Sequence, residues 1–259
     1  MLDFLDTLAN NAMRSVEEGY YEVTVNLTAP SLSLRESILK CERAPVISEV
    51  KFASPSMGTI RSRSLRRIVK DMEEGGAAGI SILTEPKHFN GHINFIAGIR
   101  DQVNIPILMK DIVLSRKQID AASRAGANAV LLIQTLFDRG YCEMDLQSMI
   151  GYAHFKGLEV LLEVHTEKEF LSALRTNADM IGINNRDLKT LKVDLKVTRL
   201  LLANYHDFRG KVIVSESGIN SPEDIRFLHR CGAQAFLVGT AIMKASNVKK
   251  KVKELVEAL

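Results

Sequence analysis

The feature that most constrains this chain is an alternation. From about Pro45 onward, short apolar runs of β-forming residues alternate with amphipathic stretches at a spacing of roughly 20 to 30 residues. The strand candidates are Val46 to Val50, Ile80 to Leu83, Ile107 to Met109, Ala129 to Ile133, Glu159 to Leu162, Met180 to Ile183, Val212 to Val214 and Ala235 to Val238. Repeated βα units of this kind wrap a parallel sheet, and eight strands is the number of the (β/α)8 TIM barrel. An open doubly wound sheet would obey the same alternation. Against it stands the chain's one glycine cluster, Gly75-Gly76-Ala77-Ala78-Gly79. It follows a helix and precedes a strand, the wrong polarity for a dinucleotide loop, and reads as a helix stop and turn.

Residues 1–44 precede the first strand and read as an N-terminal helical extension to a barrel over 45–259. Two helical pieces, about Leu2 to Glu18 and Leu32 to Cys41, flank a β-tending Tyr20 to Leu27 and the breaker Pro30. The extension is expected to cap one end of the barrel. In the last helix Val248, Val252, Leu255, Val256 and Leu259 share a face opposite Lys249, Lys250, Lys251 and Lys253. Glu254 and Glu257 interleave with these lysines and no stacking aromatic is nearby, so this is a solvated face rather than a nucleic-acid surface.

Composition narrows the partners. The 259 residues are 46% hydrophobic, enough to bury a core, and their formal net charge is only +3, so any anion site must be local. The stretch Met1 to Leu8 carries acids where a signal peptide needs bases, and no run approaches ~18 apolar residues, so a cytoplasmic protein without membrane partners is expected. Cys41, Cys142 and Cys231 form no C-x-x-C pair and read as reduced, mostly packed thiols.

Polar residues gather at the ends of the strand candidates: Glu49 and Lys51, Lys110 and Asp111, Glu163 and His165, Asn184 to Asp187, and Ser215 to Gly218. In a barrel these ends converge on one mouth. Strand alternation turns Glu49 and Lys51 to the same face and pairs Glu163 with His165. Any one of them could be a rim ion pair; together they would crowd charges into one cavity at a desolvation cost that stability rarely justifies, which favours a shared site. Ser217-Gly218 and Gly239-Thr240 follow the last two strands, where glycine lets backbone N–H groups approach a phosphate. No P-loop, G-x-S-x-G or H-E-x-x-H motif occurs, and His88 and His92 flank an Asn90-Gly91 turn rather than forming a metal pair.

Several blocks, in order, resemble indole-3-glycerol-phosphate synthase: Glu49-Val-Lys-Phe-Ala-Ser-Pro-Ser56, Ser81-Ile-Leu-Thr-Glu85 running into His88-Phe-Asn-Gly91, Ile107-Leu-Met-Lys-Asp111, Leu161-Leu-Glu-Val-His165, Gly182-Ile-Asn-Asn-Arg-Asp-Leu188, Ser215-Glu-Ser-Gly-Ile219 and Leu237-Val-Gly-Thr240. The resemblance implies a (β/α)8 barrel of tryptophan biosynthesis that closes an indole ring with loss of carbon dioxide and water, using neither metal nor organic cofactor. It implies Lys110 as the general acid toward the substrate ketone, Glu163 as an acid/base in the loss of water, and Glu49 with Lys51 as a coupled pair. Asn184 matches a residue that hydrogen-bonds the reacting part of the substrate, with Arg186 in the same block and Glu216 a further acid. Ser54 and Phe89 match the pocket lining; Ser217, Gly218, Gly239 and Thr240 match the phosphate cradle. Where the family commonly has Phe after Lys110-Asp111, this chain has Ile112, which removes a ring from the aryl site.

The chemistry accounts for these residue types. Carbon–carbon bond formation places negative charge on a ketone oxygen, so a proton-donating cation is needed, and a Lys among other cations is expected to have its pKa lowered. The dianionic phosphate binds away from the reacting bond, and that binding can hold the two reacting ends together. Two other readings share the fold: a neighbouring phosphate-binding barrel enzyme such as phosphoribosylanthranilate isomerase, and a non-catalytic barrel that binds a phosphorylated ligand. The first wants a carboxylic acid with a thiol or carboxylate base, a poor match to Lys51, Lys110 and Glu163. The second requires site residues to be missing.

Overall fold

The computed structural model describes residues 3–27, 30–54, 58–59, 64–188, 190–205 and 207–259, with residues 53, 54, 58 and 59 described by their backbone alone. Every strand candidate forms: β1 (Val46–Val50), β2 (Gly79–Leu83), β3 (Ile107–Lys110), β4 (Ala129–Ile133), β5 (Glu159–Val164), β6 (Met180–Asn184), β7 (Val212–Glu216) and β8 (Ala235–Val238). Each pairs in parallel with its sequence neighbours, and β8 closes on β1 through Val46↔Phe236, Ile47↔Leu237 and Ser48↔Val238. The sheet is therefore a closed barrel, and the open doubly wound alternative is excluded.

Several strands run further than their apolar runs. β3, β6 and β7 keep Lys110, Asn184 and Glu216 inside the ladder, with Leu83↔Lys110 and Asn184↔Glu216 as register partners. Polarity ends an apolar pattern, but it does not end backbone pairing when the inward side chains meet partners of opposite charge. Alternation then sorts the faces. Ile47, Leu108, Leu131, Leu161, Met180, Val214 and Leu237 fill the barrel, while Val46, Ile80, Met109, Val130, Leu162, Ile181 and Phe236 pack outward against the helices.

The extension caps both ends of the barrel, not one. Helix α1 (Phe4–Glu17) starts with a capping box between Asp3 and Asp6, and its Leu5 and Leu8 join the barrel interior at the end where the strands finish. Helix α2 (Leu34–Leu39) closes the other end. Glu159, the first residue of β5, caps it by accepting hydrogen bonds from the Ser33 hydroxyl, from Leu34 N at 2.7 Å and from Arg35 N at 3.1 Å. Leu34 is fully buried and fills the space a side chain at Gly79 would need, its Cδ1 lying 2.5 Å from where that Cβ would be.

The β-tending Tyr20 to Leu27 is not a strand. A closed barrel leaves no edge to pair with, so this stretch crosses the outer surface, burying Tyr21 and Val23 and donating from Leu27 N to Arg124 O at 2.8 Å. Gly75 caps the helix Leu65–Glu74 and Gly76 has φ +93°, so the glycine cluster is a helix stop and turn. The last helix spans Val248–Val256, leaving Leu259 beyond it and exposed, and its lysines pair with Glu74, Glu254 and Glu257. All three cysteines are free and only partly buried, less packed than expected.

Candidate active site

Because β1, β3, β5, β6 and β7 each carry an inward polar residue at the last or next-to-last position, Glu49, Lys110, Glu163, Asn184 and Glu216 meet at the mouth of the barrel. They floor a cavity of about 710 Å³. Lys110 Nζ lies 3.1 Å from Glu163 Oε2 and 3.3 Å from Glu216 Oε2. Asn184 Nδ2 donates to the other Glu163 oxygen at 3.0 Å, and His165 Nε2 stands 3.4 Å from that same oxygen. Lys51 Nζ pairs with Glu49 Oε1 at 2.8 Å. The parity expected from the sequence therefore holds for both the Glu49/Lys51 and Glu163/His165 pairs.

The charge balance departs from expectation. Burial pulls the Lys110 ammonium down, but the carboxylates of Glu163, Glu216 and Glu49 outweigh it, and its pKa is raised, not lowered. Lys110 is not among cations: Lys51 is engaged by Glu49, and acids are what surround Lys110. Burial pushes Glu163 up, yet Lys110, His165 and Asn184 together hold its carboxyl well below the usual carboxylate range. Glu216 goes the other way. Burial raises it, Lys110 offsets that only in part, and Glu163 and Glu49 add to the rise. One floor thus carries an acid kept ionised beside an acid that favours its proton.

Two glycines make room for these carboxylates. A Cβ on Gly182 would sit 2.0 Å from Glu216 Oε1, and one on Gly239 would sit 2.6 Å from Glu49 Oε1. Gly239 therefore serves the acid cluster as well as the stretch of wall to which Ser217, Gly218 and Thr240 also contribute. There Ser217 has φ 69° and Gly218 φ 85°, two successive left-handed residues. For Ser217, which carries a Cβ, that conformation costs about 1–2 kcal/mol, so something must hold it. Asn185, 1% exposed, donates from Nδ2 to Glu216 O at 2.9 Å and Ser217 O at 3.2 Å.

Much of the apolar wall comes from outside the acid cluster, including the loop residues Leu188, Val193 and Leu195. Phe89 sits on the short helix Pro86–Phe89, whose free N–H groups at Lys87, His88 and Phe89 are accepted by the buried Glu85 carboxylate. Ile112 and Ile133 add aliphatic surface, and α1 contributes Phe4, Leu5 and Leu8. α1 is pinned there by Arg139, which reaches Asp3 at 2.8 Å and Asp6, by Asn11 at 2.9 Å from His88 Nε2, and by Phe4 edge-on to His88. Arg186 lines the cavity, half-buried; burial lowers its pKa against the pull of Glu49, and its Nη1 donates to Leu191 O at 2.8 Å. The side chain of Ser54 lies outside the described residues.

The structure brings Glu49, Lys51, Lys110, Glu163, Asn184 and Glu216 together as the strand ends suggest, and it adds residues that were not singled out. α1 was expected only as part of a cap, without its cavity-lining residues. Asp111 and Asn185 were visible as strand-end polar residues without a role. Asp111 engages neither lysine: it accepts from the Tyr21 hydroxyl at 3.0 Å, from Thr84 and from its own neighbour Ile112 N at 2.7 Å. Among the described residues no three His, Cys, Asp or Glu side chains gather as ligands for a metal ion.

Comparison with known proteins follows the same lines. A family model described as indole-3-glycerol phosphate synthase matches residues 7–255. The chain is 43% identical over 230 residues to the indole-3-glycerol phosphate synthase of Methanocaldococcus jannaschii, covering 87% of this chain and 83% of that one. To the protein of the same description from Methanopyrus kandleri it is 36% identical over 257 residues, covering 98% of each. Among solved structures, thiamine phosphate pyrophosphorylase from Pyrococcus furiosus superposes with a TM-score of 0.60 at 17% identity, covering 87% of this chain and 97% of that one, a likeness of fold alone.

Proposed function

The chain belongs to the indole-3-glycerol phosphate synthase family, and from that premise we propose how its cavity carries out the reaction. The protein is a carboxy-lyase of tryptophan biosynthesis; it closes the indole ring of 1-(2-carboxyphenylamino)-1-deoxyribulose 5-phosphate with loss of carbon dioxide and water.

Lys110 is the general acid of ring closure. As the aryl carbon bearing the carboxylate attacks the ketone, the oxygen becomes an alkoxide, a stronger base than the lysine amine. An ammonium stabilised by neighbouring acids still gives up its proton at that moment, and before it does so its fixed charge stabilises the developing one. Loss of carbon dioxide restores the aromatic ring. Elimination of water then needs a base for one proton and an acid for the hydroxyl. Glu163 supplies one of these roles, supported by its ionised state and by the 3.0 Å hydrogen bond from Asn184 that orients it. Glu49 and Lys51, paired at 2.8 Å, complete the proton inventory, with Glu216 as a further acid beside Lys110.

Asn184 and Arg186 hold the substrate near the reacting bond, and Phe89, Ser54 and the aliphatic Ile112 receive the aryl ring. Ser217, Gly218, Gly239 and Thr240 receive the phosphate, with the backbone N–H of Gly218 among the donors, the usual place for it after the seventh and eighth strands of such barrels. The reading needs no cofactor or metal, and it places a cytoplasmic enzyme on a small-molecule substrate with no nucleic-acid or membrane partner. In it residues 1–44 are a capping extension and 45–259 the catalytic barrel.

One observation carries the reading: an ammonium clamped between two buried carboxylates in a cavity that Gly218 and Gly239 also line. The test is to incubate the protein separately with this substrate and with that of phosphoribosylanthranilate isomerase, following indole absorbance and carbon dioxide release. Both signals are expected with the first substrate alone. Turnover of only the second would overturn the assignment.

A further inference from the structure

We infer that Asn185 is a positioning residue that turns the Ser217–Gly218 peptide, and with it the Gly218 N–H, toward the phosphate. The inference rests on the reading of these residues as part of the phosphate cradle. Asn185 lies next to Asn184 on the opposite side of the strand end and does not line the cavity. Its polar groups are all engaged. Nδ2 donates to Ser215 Oγ at 2.9 Å as well as to Glu216 O and Ser217 O, and Oδ1 accepts from Thr198 N at 3.2 Å and Thr198 Oγ1 at 2.8 Å. Ser215 Oγ and Thr198 Oγ1 are 2.9 Å apart, which braces the side chain from behind. Its own backbone N–H donates to Glu216 O at 2.9 Å, so the same carbonyl is gripped twice.

In a trans peptide the C=O of one residue and the N–H of the next point in opposite directions. With the carbonyl of Ser217 turned to Asn185, the N–H of Gly218 points away from it, on the side of the cavity that Gly218 lines, whereas the Ser217 N–H faces β8, where Leu237 is the register partner of Glu216. That turn requires the left-handed φ of 69° at Ser217. A serine adopts it only when its surroundings over-determine it, and the Asn185–Thr198–Ser215 cluster does so. The strain is stored beside the phosphate wall and set by a residue that never touches substrate.

The test reads KM, kcat and the dissociation constant of inorganic phosphate by calorimetry. Asn185→Ala is expected to raise KM and weaken phosphate about tenfold, with kcat changed by no more than about threefold. In the Ser217→Gly background the same substitution is expected to shift both by less than about threefold, because glycine takes the left-handed conformation unaided. Equal losses in both backgrounds, or unchanged KM and phosphate affinity, overturn the inference. Thr198→Val, which removes one hydroxyl of the brace, shifts KM the same way by less; it stands in should Asn185→Ala not fold, and an unchanged KM there is equally fatal. Gly218→Ala separates the two readings. If phosphate binds it as tightly as the parent, the cradle lies elsewhere and the inference falls with it; if phosphate is lost there but kept in the Asn185 variants, only the inference falls.

Discussion

At Lys110 burial, which disfavours an ammonium, competes with three carboxylates, which favour one, and the carboxylates win. Lys110→Met keeps the length of the side chain and removes the proton, so turnover is expected to fall roughly 10²- to 10⁴-fold while the circular dichroism spectrum stays that of the parent; unchanged turnover would take Lys110 out of the mechanism. Gly182 matters for a different reason. An added methyl there would meet Glu216 Oε1, a contact of 2.0 Å that forces the carboxylate off Lys110. Gly182→Ala is therefore expected to lower kcat by at least about tenfold with KM little changed, read from a saturation curve. Strand parity made Glu49, Lys110 and Glu163 legible in the sequence, because alternation says which residues look inward. It does not say which acids and bases from other strands they will face, and for that reason the direction of the Lys110 shift came out reversed.

Helix α1 was legible as a helix in a capping extension, but its face and its seat were not. Only the fold shows that its Leu5 and Leu8 are buried and wall the cavity. Arg139, bridging Asp3 and Asp6 at the start of that helix, fixes its position. Arg139→Ala is expected to raise KM several-fold with a smaller change in kcat, and to speed amide exchange within 4–17 but not in the strands; equal protection and an unaltered KM would mean α1 needs no such pin. The eight strands were legible nearly to the residue because a parallel barrel buries both faces and leaves continuous apolar runs. The stretch Tyr20 to Leu27 has the composition of a strand, but pairing needs a free edge, and whether an edge exists is a property of the closed sheet.

Over the whole molecule, stability should carry the mark of Asp111. Burial pushes its carboxyl from 3.8 up to about 6, although Thr84, Ile112 N and Tyr21 donate to it. Since the folded pKa lies above the unfolded one, the native state holds this proton more tightly. The stabilisation is whole below pH ~4 and is lost as pH rises to ~6. Asp111→Asn resembles the protonated form, because the Tyr21 and Thr84 hydroxyls can turn to accept from its amide. Relative to that variant the parent is expected to lose about 2 kcal/mol between pH 4 and 6, measured as urea midpoints across the range; parallel curves would show that Asp111 is ionised throughout. The plug beneath the barrel has a consequence for how the chain is made. Leu34 and Arg35 find their acceptors in Glu159 and Gly210, 125 and 175 positions later in the sequence. At about 5–20 residues per second on the ribosome, the second helix to emerge waits roughly ten to thirty seconds for the last of those partners. An early segment of the chain is thus among the last to gain all its partners, and until Glu159 is made the nascent chain carries a helix start without its cap.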